Sequence, residues 1–365
     1  MKSKPQTDLQ TTAFEGLTGL EDQLEAWNEL LDVSRADKLF NGPTWVCAHI
    51  RAFTPETDVF GWTLSQDSEP VALFAFRKEP SRGRFTLQRA ITAADGTFDS
   101  DYCEPLVRTG FETEVATALL GLLASRRGLK AAVLTALPER SAFLEALRTA
   151  LKCQRLPSRE HPVASLALEL PSSFDEYLKA LKPRMRTKVR GALRNAEELG
   201  AELSVCSRPD ELGGYLEELF TLHGRRWRSA GEAGSFGDER RRRFYKGMAA
   251  GFLERGELRL SRLASVDGVL ASQLGIVQGG TYYQLQEGYD PERATQRVGV
   301  ALRGLATQAL IREGVQRYDF LAGDSRHKRD WGGQPEAFLS VGFALPNVMA
   351  RLDYGLRALI DRLRS

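Results

Sequence analysis

Residues 257–290 read ELRLSRLASVDGVLASQLGIVQGGTYYQLQEGYD, and this stretch decides the fold. Asp267-Gly268 and Gly279-Gly280 stand between three alternating or apolar runs, which is the pattern of a three-stranded antiparallel meander closed by two tight turns. Downstream, TQRVGVAL (295–302) leads into RGLATQALIREG, whose apolar residues recur at helical spacing, and then into the strand-like RYDFLA. The first half of the chain repeats this order. DVFGWTLSQDSEPVALFAFR (58–77) reads as a hairpin, FETEVATALLGLLASRR (111–127) as a helix and KAAVLTAL as a strand. Hairpin, helix, strand occurring twice implies a duplicated α/β (α+β) domain with a mixed sheet.

The totals agree with two soluble compact units. The chain has 365 residues, 42% apolar and 27% charged, which excludes a disordered, collagen-like or disulfide-stapled protein. Fifty basic against 48 acidic residues leave a net charge of +2, too little to make DNA or RNA the default partner. No run approaches a membrane span and MKSKPQTDLQTTAFEG has no signal-peptide core, so a cytoplasmic location is expected. Cys47, Cys103, Cys153 and Cys206 are far apart, with no CxxC, and are expected to be reduced, buried thiols with no metal.

Proline, serine and charge interrupt the periodicity at CQRLPSREHPVAS (153–165), which places the link between halves there. The expected divisions are a flexible 1–18, a first domain over 19–160, a second over 161–345, and an amphipathic basic tail helix over 346–365. The tail alternates Leu345, Val348, Met349, Leu352, Leu356, Leu359, Ile360 and Leu363 with Arg351, Arg357, Arg362 and Arg364. Such a helix packs on its parent domain or contacts an anionic membrane surface peripherally. Ser173 stands three residues before Glu176, a capping box that opens a helix, and Pro183 should interrupt that helix. The basic residues from Lys179 to Arg194 and the run Arg240 to Arg243 read as solvated faces paired with acids such as Glu197 and Glu198, or as a phosphate-binding surface.

A loop that runs from a strand into a helix N-terminus presents unpaired N–H groups and the positive end of the helix dipole. It can therefore hold phosphate. In this loop Gly299 leaves the backbone open, Ala301 keeps the first turn uncrowded, and Gln296 and Arg297 add donors beside Val298 and Val300. The loop has neither the Gly-Lys-Ser/Thr ending of an NTPase nor three spaced glycines of a dinucleotide fold.

The spacing of Gln296, Gly299 and Ala301 resembles the Q/R-x-x-G-x-G/A pyrophosphate loop of GNAT-fold N-acyltransferases. FDEYLKALKPRMRTKVRGALRNAEELG, LHGRRWRSAGEAGSF and YDFLAGDSRHKRDW, with LFNGPTW and SDYCEPL in the first half, resemble the blocks of the CelD-like acetyltransferases, relatives of the FemAB-type transferases. His327 departs from the aromatic residue many relatives carry before the lysine. The resemblance implies tandem GNAT-like domains, each a mixed, mostly antiparallel sheet flanked by helices. It implies an acyl-CoA co-substrate and an amine acceptor, with cofactor binding confined to the second half because the first has no such glycine loop.

Acid-base residues are then expected at two strand ends. Glu287, in YYQLQEG, is a candidate general base if burial raises its pKa, and Tyr289 adjoins it. Asp324, His327 and Lys328, in FLAGDSRHKRDW, are candidates for proton relay and for binding an anion or the oxyanion, with Trp331 beside them. His223, Arg226 and Trp227, where a helix gives way to a Gly/Ser loop, and Tyr102 with Asp101 in the first half, are candidate acceptor-site residues. The rival readings are a FemAB-like enzyme using aminoacyl-tRNA and a non-catalytic acyl-CoA-binding protein.

Overall fold

A computed structural model of the chain describes residues 9–80, 88–95, 97, 99–232, 234–346, 348, 350–352 and 354. Two compact units emerge: Met1–Val163 with Ala337–Ser365, and Ala164–Glu336. Of the expected tail helix, only Val348, Ala350, Arg351, Leu352 and Tyr354 lie among the described residues beyond Pro346, and the rest of that segment lies outside them. No helix among the described residues is long and apolar enough to cross a membrane.

In the first unit, β1 (Gln10–Glu15) borders β2 (Val59–Gln66), which turns into β3 (Glu69–Pro80) through Asp67 and Ser68. Both turn residues have positive φ, the backbone a two-residue hairpin demands. β3 pairs antiparallel with β4 (Gln88–Thr92), and β4 runs parallel to β6 (Ala131–Pro138). The helix α5 (Glu112–Ser125) forms the connection, burying Val115, Ala116, Leu119, Leu120 and Leu123 in the core with α6 (Ala142–Cys153). Four N-terminal helices, α1 (Gly16–Glu21), α2 (Leu24–Val33), α3 (Lys38–Asn41) and α4 (Pro43–Phe53), and the short β5 (Leu106–Val107) against β3 complete this part.

The chain passes to the second unit within β7 (Ser158–Glu169) and returns within β13 (Gln334–Ala344), whose second half pairs with β6. The expected meander is present: β9 (Leu258–Ser265), β10 (Gly268–Gln278) and β11 (Thr281–Tyr289), antiparallel throughout, with Gly279 and Gly280 both at positive φ in the second turn. β8 (Glu202–Val205) borders β9, and β11 runs parallel to β12 (Arg317–Ala322), which pairs with β7. Between β11 and β12 lies α11 (Val298–Arg312). The order of strands and the single parallel pair around a helix thus occur in both units.

α8 (Pro183–Glu198) explains why α11 is apolar on more than one face. Met185, Val189, Ala192 and Ala196 of α8 are buried at helical spacing, and α11 lies between this face and β10. Gly304 admits the contact, since a Cβ there would stand 3.3 Å from Val189 and Leu193. Ser173 caps α7 (Phe174–Ala180) by accepting from the Glu176 N–H at 3.2 Å, and Pro183 opens α8 at its first turn, where the missing N–H costs nothing. On the far face, α9 (Pro209–Ser229) lies against β11 and α10 (Glu239–Glu254) against α9. Gly288 makes the first of these contacts possible, because a Cβ there would fall 2.3 Å from the His223 nitrogen.

Two expectations need correction. The four cysteines are free, but only Cys47, Cys103 and Cys206 are buried; Cys153 is exposed, as the last residue of an amphipathic helix. The basic residues of α8 do not pair with Glu197 or Glu198. Among the described residues Arg186 instead donates to the carbonyls of Leu178, Lys179 and Leu181 at the end of α7.

Candidate active site

β11 and β12 pair only from Thr281/Arg317 to Tyr283/Asp319 and then part. Just beyond, β11 carries a bulge: Leu274 and Gly275 of β10 face Gln286 and Gln284, leaving Leu285 as the extra residue. The bulge re-aims the strand where its neighbour departs, and Glu287 and Tyr289 follow it. The opening is closed from the far side by the start of α11 and by α12 (Arg326–Asp330).

A cavity of about 240 Å³ lies there, lined by Lys188, Arg226, Glu287, Tyr289, Ala294, Arg297, Val298, Gly299, Val300, Arg303, His327 and Trp331. The structure therefore brings together Glu287 and Tyr289 from β11, Arg297 to Val300 from the loop, Arg226 from α9, and His327 with Trp331 from the segment after β12. It does not bring Asp324 or Lys328 to the cavity. The Asp324 carboxylate accepts from Arg329 Nε at 2.6 Å, and Lys328 Nζ donates to the carbonyls of Leu321 and Ala322 at 3.0 and 2.6 Å. Ala301 is fully buried in the core with Ala192 and Ala196. Trp227 and His223 form a pair behind the cavity, where the indole N–H donates to His223 Nε2 at 2.8 Å. Tyr102 is buried in the first unit, stacked on Phe338.

The α11 entrance has an unusual cap. Arg297 sits in the left-handed region at φ +60°, and no side chain caps the helix. The N–H groups of Val298 and Gly299 consequently open the helix with no carbonyl one turn back to bond. Asn195 of α8 pins this turn, its amide donating to the Gln296 carbonyl at 3.1 Å, while the buried Gln296 Oε1 has no hydrogen-bond partner among the described residues. Gly299 has a second use beside the one its sequence suggested. A Cβ there would stand 3.1 Å from the Tyr289 ring, so the glycine admits Tyr289 as well as exposing backbone.

Glu287 is the centre of a charged network. Its carboxylate accepts from Arg226 Nη1 at 3.3 Å, from Gln284 Nε2 at 3.3 Å, and from Arg303. Gln284 in turn accepts from Tyr318 at 3.2 Å. The reading of Glu287 as a base raised by burial is overturned. Burial does push the carboxyl up, but the guanidiniums of Arg303 and Arg226 outweigh it and hold the pKa below the ordinary 4.5. The site contains an ionised carboxylate.

Arg303 and Lys188 were not among the expected site residues. Arg303 is 3% exposed, lies 5.2 Å from the Trp331 ring, and approaches His327 Nδ1 at 3.4 Å. Its signal was present as a lone arginine in the apolar helix VGVALRGLATQAL. Lys188 lay hidden in a basic run, and only the docking of α8 on α11 singles it out. Desolvation and the charges of Arg303 and Arg226 push the His327 pKa down to about 4, so the ring is neutral at pH 7. Since a guanidinium can only donate, Nδ1 accepts and Nε2 carries the proton. The Trp331 indole N–H, on a residue 1% exposed, has no hydrogen-bond partner among the described residues. No cluster of metal-ligating side chains occurs among the described residues.

Residues 183–329, which contain every cavity residue except Trp331, match a family profile described as an acetyltransferase (GNAT) domain. This segment is similar to a GNAT acetyltransferase domain. A search of curated protein sequences finds no match to the chain. Among solved structures, the chain is similar to FemX, at a TM-score of 0.60 and 12% identity over 86% of this chain and 95% of that one. It is also similar to the C-terminal domain of a putative lysylphosphatidylglycerol synthetase from Agrobacterium fabrum, at 0.54 and 11% over 94% and 96%. L-PGS from Bacillus licheniformis gives 0.54 and 11% over 94% and 98%. At these identities the likeness is one of fold.

Proposed function

We propose that the chain is an N-acyltransferase that takes an acyl group from acyl-CoA and delivers it to a primary amine of a small-molecule, sugar or lipid-like acceptor. The observation that carries this reading is the cavity between the parted strands, closed by the free N–H groups of Val298 and Gly299 and lined by Lys188, Arg226, Arg297 and Arg303 against the single carboxylate of Glu287. Four cations against one anion favour a phosphate-bearing donor, and the helix N-terminus adds directional N–H groups for it. The resemblance to CelD-like acetyltransferases supports the same donor.

Bound acyl-CoA would supply a thioester carbonyl. Around it, Arg297, Lys188 and the first turn of α11 hold the diphosphate, and Tyr289 covers the turn. His327 presents Nε2–H, and Trp331 its unpartnered indole N–H, as donors for a developing oxyanion. Glu287 attracts the acceptor's ammonium, which gives up one proton to water before its nitrogen attacks the thioester carbonyl. As the amide bond forms and the C–S bond breaks, the second proton lost by the nitrogen passes to the departing thiolate.

Melting curves with acetyl-CoA, palmitoyl-CoA, CoA and tRNA test this. A ligand at ~100 times its Kd adds about 2.7 kcal/mol of stability, and Arg297→Ala should abolish the gain from the CoA species while leaving the unliganded melting point within a degree or so. Stabilisation by tRNA alone would favour the aminoacyl-tRNA reading. That second reading is supported by one feature: a groove of about 1030 Å³ sharing Lys188 and Arg297, lined further by Lys182, Arg184, Arg326 and Arg329. Binding of acyl-CoA without turnover of any amine would leave the protein a non-catalytic acyl-CoA binder.

A further inference from the structure

The first unit has its own cavity, about 200 Å³, formed where the segment after α2 and the chain before β5 meet the start of α6. Its charged lining is Arg35, Arg140, Glu104 and Glu112. Glu104 is 7% exposed and also borders a second, smaller cavity beside Trp27 and Phe74. One of its oxygens accepts from the Ser141 hydroxyl, which itself accepts from the Leu144 N–H at 3.1 Å and caps α6. The other oxygen has no hydrogen-bond partner among the described residues, and no cation pairs with it there. Glu112 is turned to its own backbone, accepting from the Gly110 N–H at 2.8 Å.

Buried carboxyls are normally paired or bonded at both oxygens. Several arginines of the same unit are paired: Arg108 with Glu29, Arg126 with Glu15 at 2.7 Å and Arg148 with Glu160 at 2.7 Å. Arg35 and Arg140, at the exposed rim of this cavity, have neither an ion pair nor a hydrogen bond among the described residues. An acid without a cation at the bottom and two cations without an acid at the rim are complementary to a molecule carrying both charges.

We propose that this cavity binds a small zwitterion, with its ammonium on Glu104 and its carboxylate or phosphate on Arg35 and Arg140. The space, about 200 Å³, suits a molecule of the size of a small amino acid or a phosphorylated short amine. Ser141 fixes one carboxylate oxygen and leaves the other for the ammonium. Burial pushes the Glu104 carboxyl above its ordinary range, with the Ser141 hydroxyl acting against it, as happens to an acid whose cation is missing. The site rests on the first unit alone and stands whether or not the second unit transfers acyl groups.

Isothermal titration calorimetry of the full chain tests the site with glycine, β-alanine and 2-aminoethyl phosphate, and with ethylamine, acetate and inorganic phosphate as half-molecules. At least one zwitterion should bind with a Kd near or below about 1 mM, and every half-molecule at least about tenfold more weakly. Preference for 2-aminoethyl phosphate over the amino acids would assign the rim to phosphate, the reverse to carboxylate. Glu104→Gln, which keeps the shape and the Ser141 contact, should weaken binding about tenfold or more, as should Arg140→Ala and Arg35→Ala at exposed positions that do not endanger folding. The proposal is overturned by no heat with any zwitterion up to about 10 mM, by acetate or ethylamine binding as tightly, or by wild-type affinity in all three variants.

Discussion

Each unit sets a glutamate beside a cavity, Glu104 buried in the first and Glu287 half-buried in the second, and the two are in opposite states. Glu287 meets Arg226, Arg303 and Gln284, and its pKa lies below the ordinary value. Glu104 meets a single serine hydroxyl, and its pKa lies above. Burial acts on both in the same direction, so the difference comes from where the arginines stand. In the second unit a guanidinium rises from inside α11 into the network. In the first, the arginines stay at the rim. One cavity is a preorganised charged site, and the other leaves its charge to be completed.

The largest effect should come from Arg303→Met. Removing a buried partner leaves Glu287 uncompensated, which should cost about 3–5 kcal/mol in urea unfolding, and the double variant with Glu287→Gln should recover much of it. If the single variant is no less stable than wild type, the network has been misread.

The pH dependence of stability separates the two glutamates by sign. The depressed pKa of Glu287 contributes stability that is present above its unfolded value near 4.5 and is lost as pH falls through the folded value, so Glu287→Gln should flatten the acid limb. Glu104 is raised, so the folded state holds its proton longer and stability falls as pH climbs above the unfolded value of 4.5. Glu104→Gln should remove that decline. Parallel pH profiles for the two variants would erase the contrast.

A smaller loss, about 1 kcal/mol, is expected for Arg226→Ala, because this arginine is 31% exposed and its contact is 3.3 Å long. Comparison with Arg303→Met then measures what burial adds. Smallest of all should be Trp331→Phe, which deletes an unpartnered N–H and keeps the ring beneath Arg303. Stability should change by less than about 1 kcal/mol, while kcat falls if the indole donates to the oxyanion.

Much of the fold was legible because its signals are local. Gly279-Gly280 can only turn, Pro183 can only begin a helix at its first turn, and the alternation through β9 to β11 has one partner arrangement that buries its apolar face. The strand-to-helix turn at Arg297 to Val300 was legible for the same reason, since loop and helix are contiguous. The site's charge state was not. Glu287 looks solitary in YYQLQEG, and the residue that ionises it lies sixteen positions away on α11, within a helix that reads as plain core. Asp324 and Lys328 looked functional in a polar loop, yet one pairs with Arg329 and the other is spent on two backbone carbonyls.

The chain's linear order alone determined a duplicated strand and helix pattern, the turn positions and the strand-to-helix entrance at Arg297, because backbone geometry and side-chain periodicity act over a few residues. Tertiary structure decided which carboxyl is ionised, which arginine is buried and which lysine faces the cavity. Those depend on distances between residues far apart in the chain, and electrostatic energy in a poorly solvated interior is set by such distances.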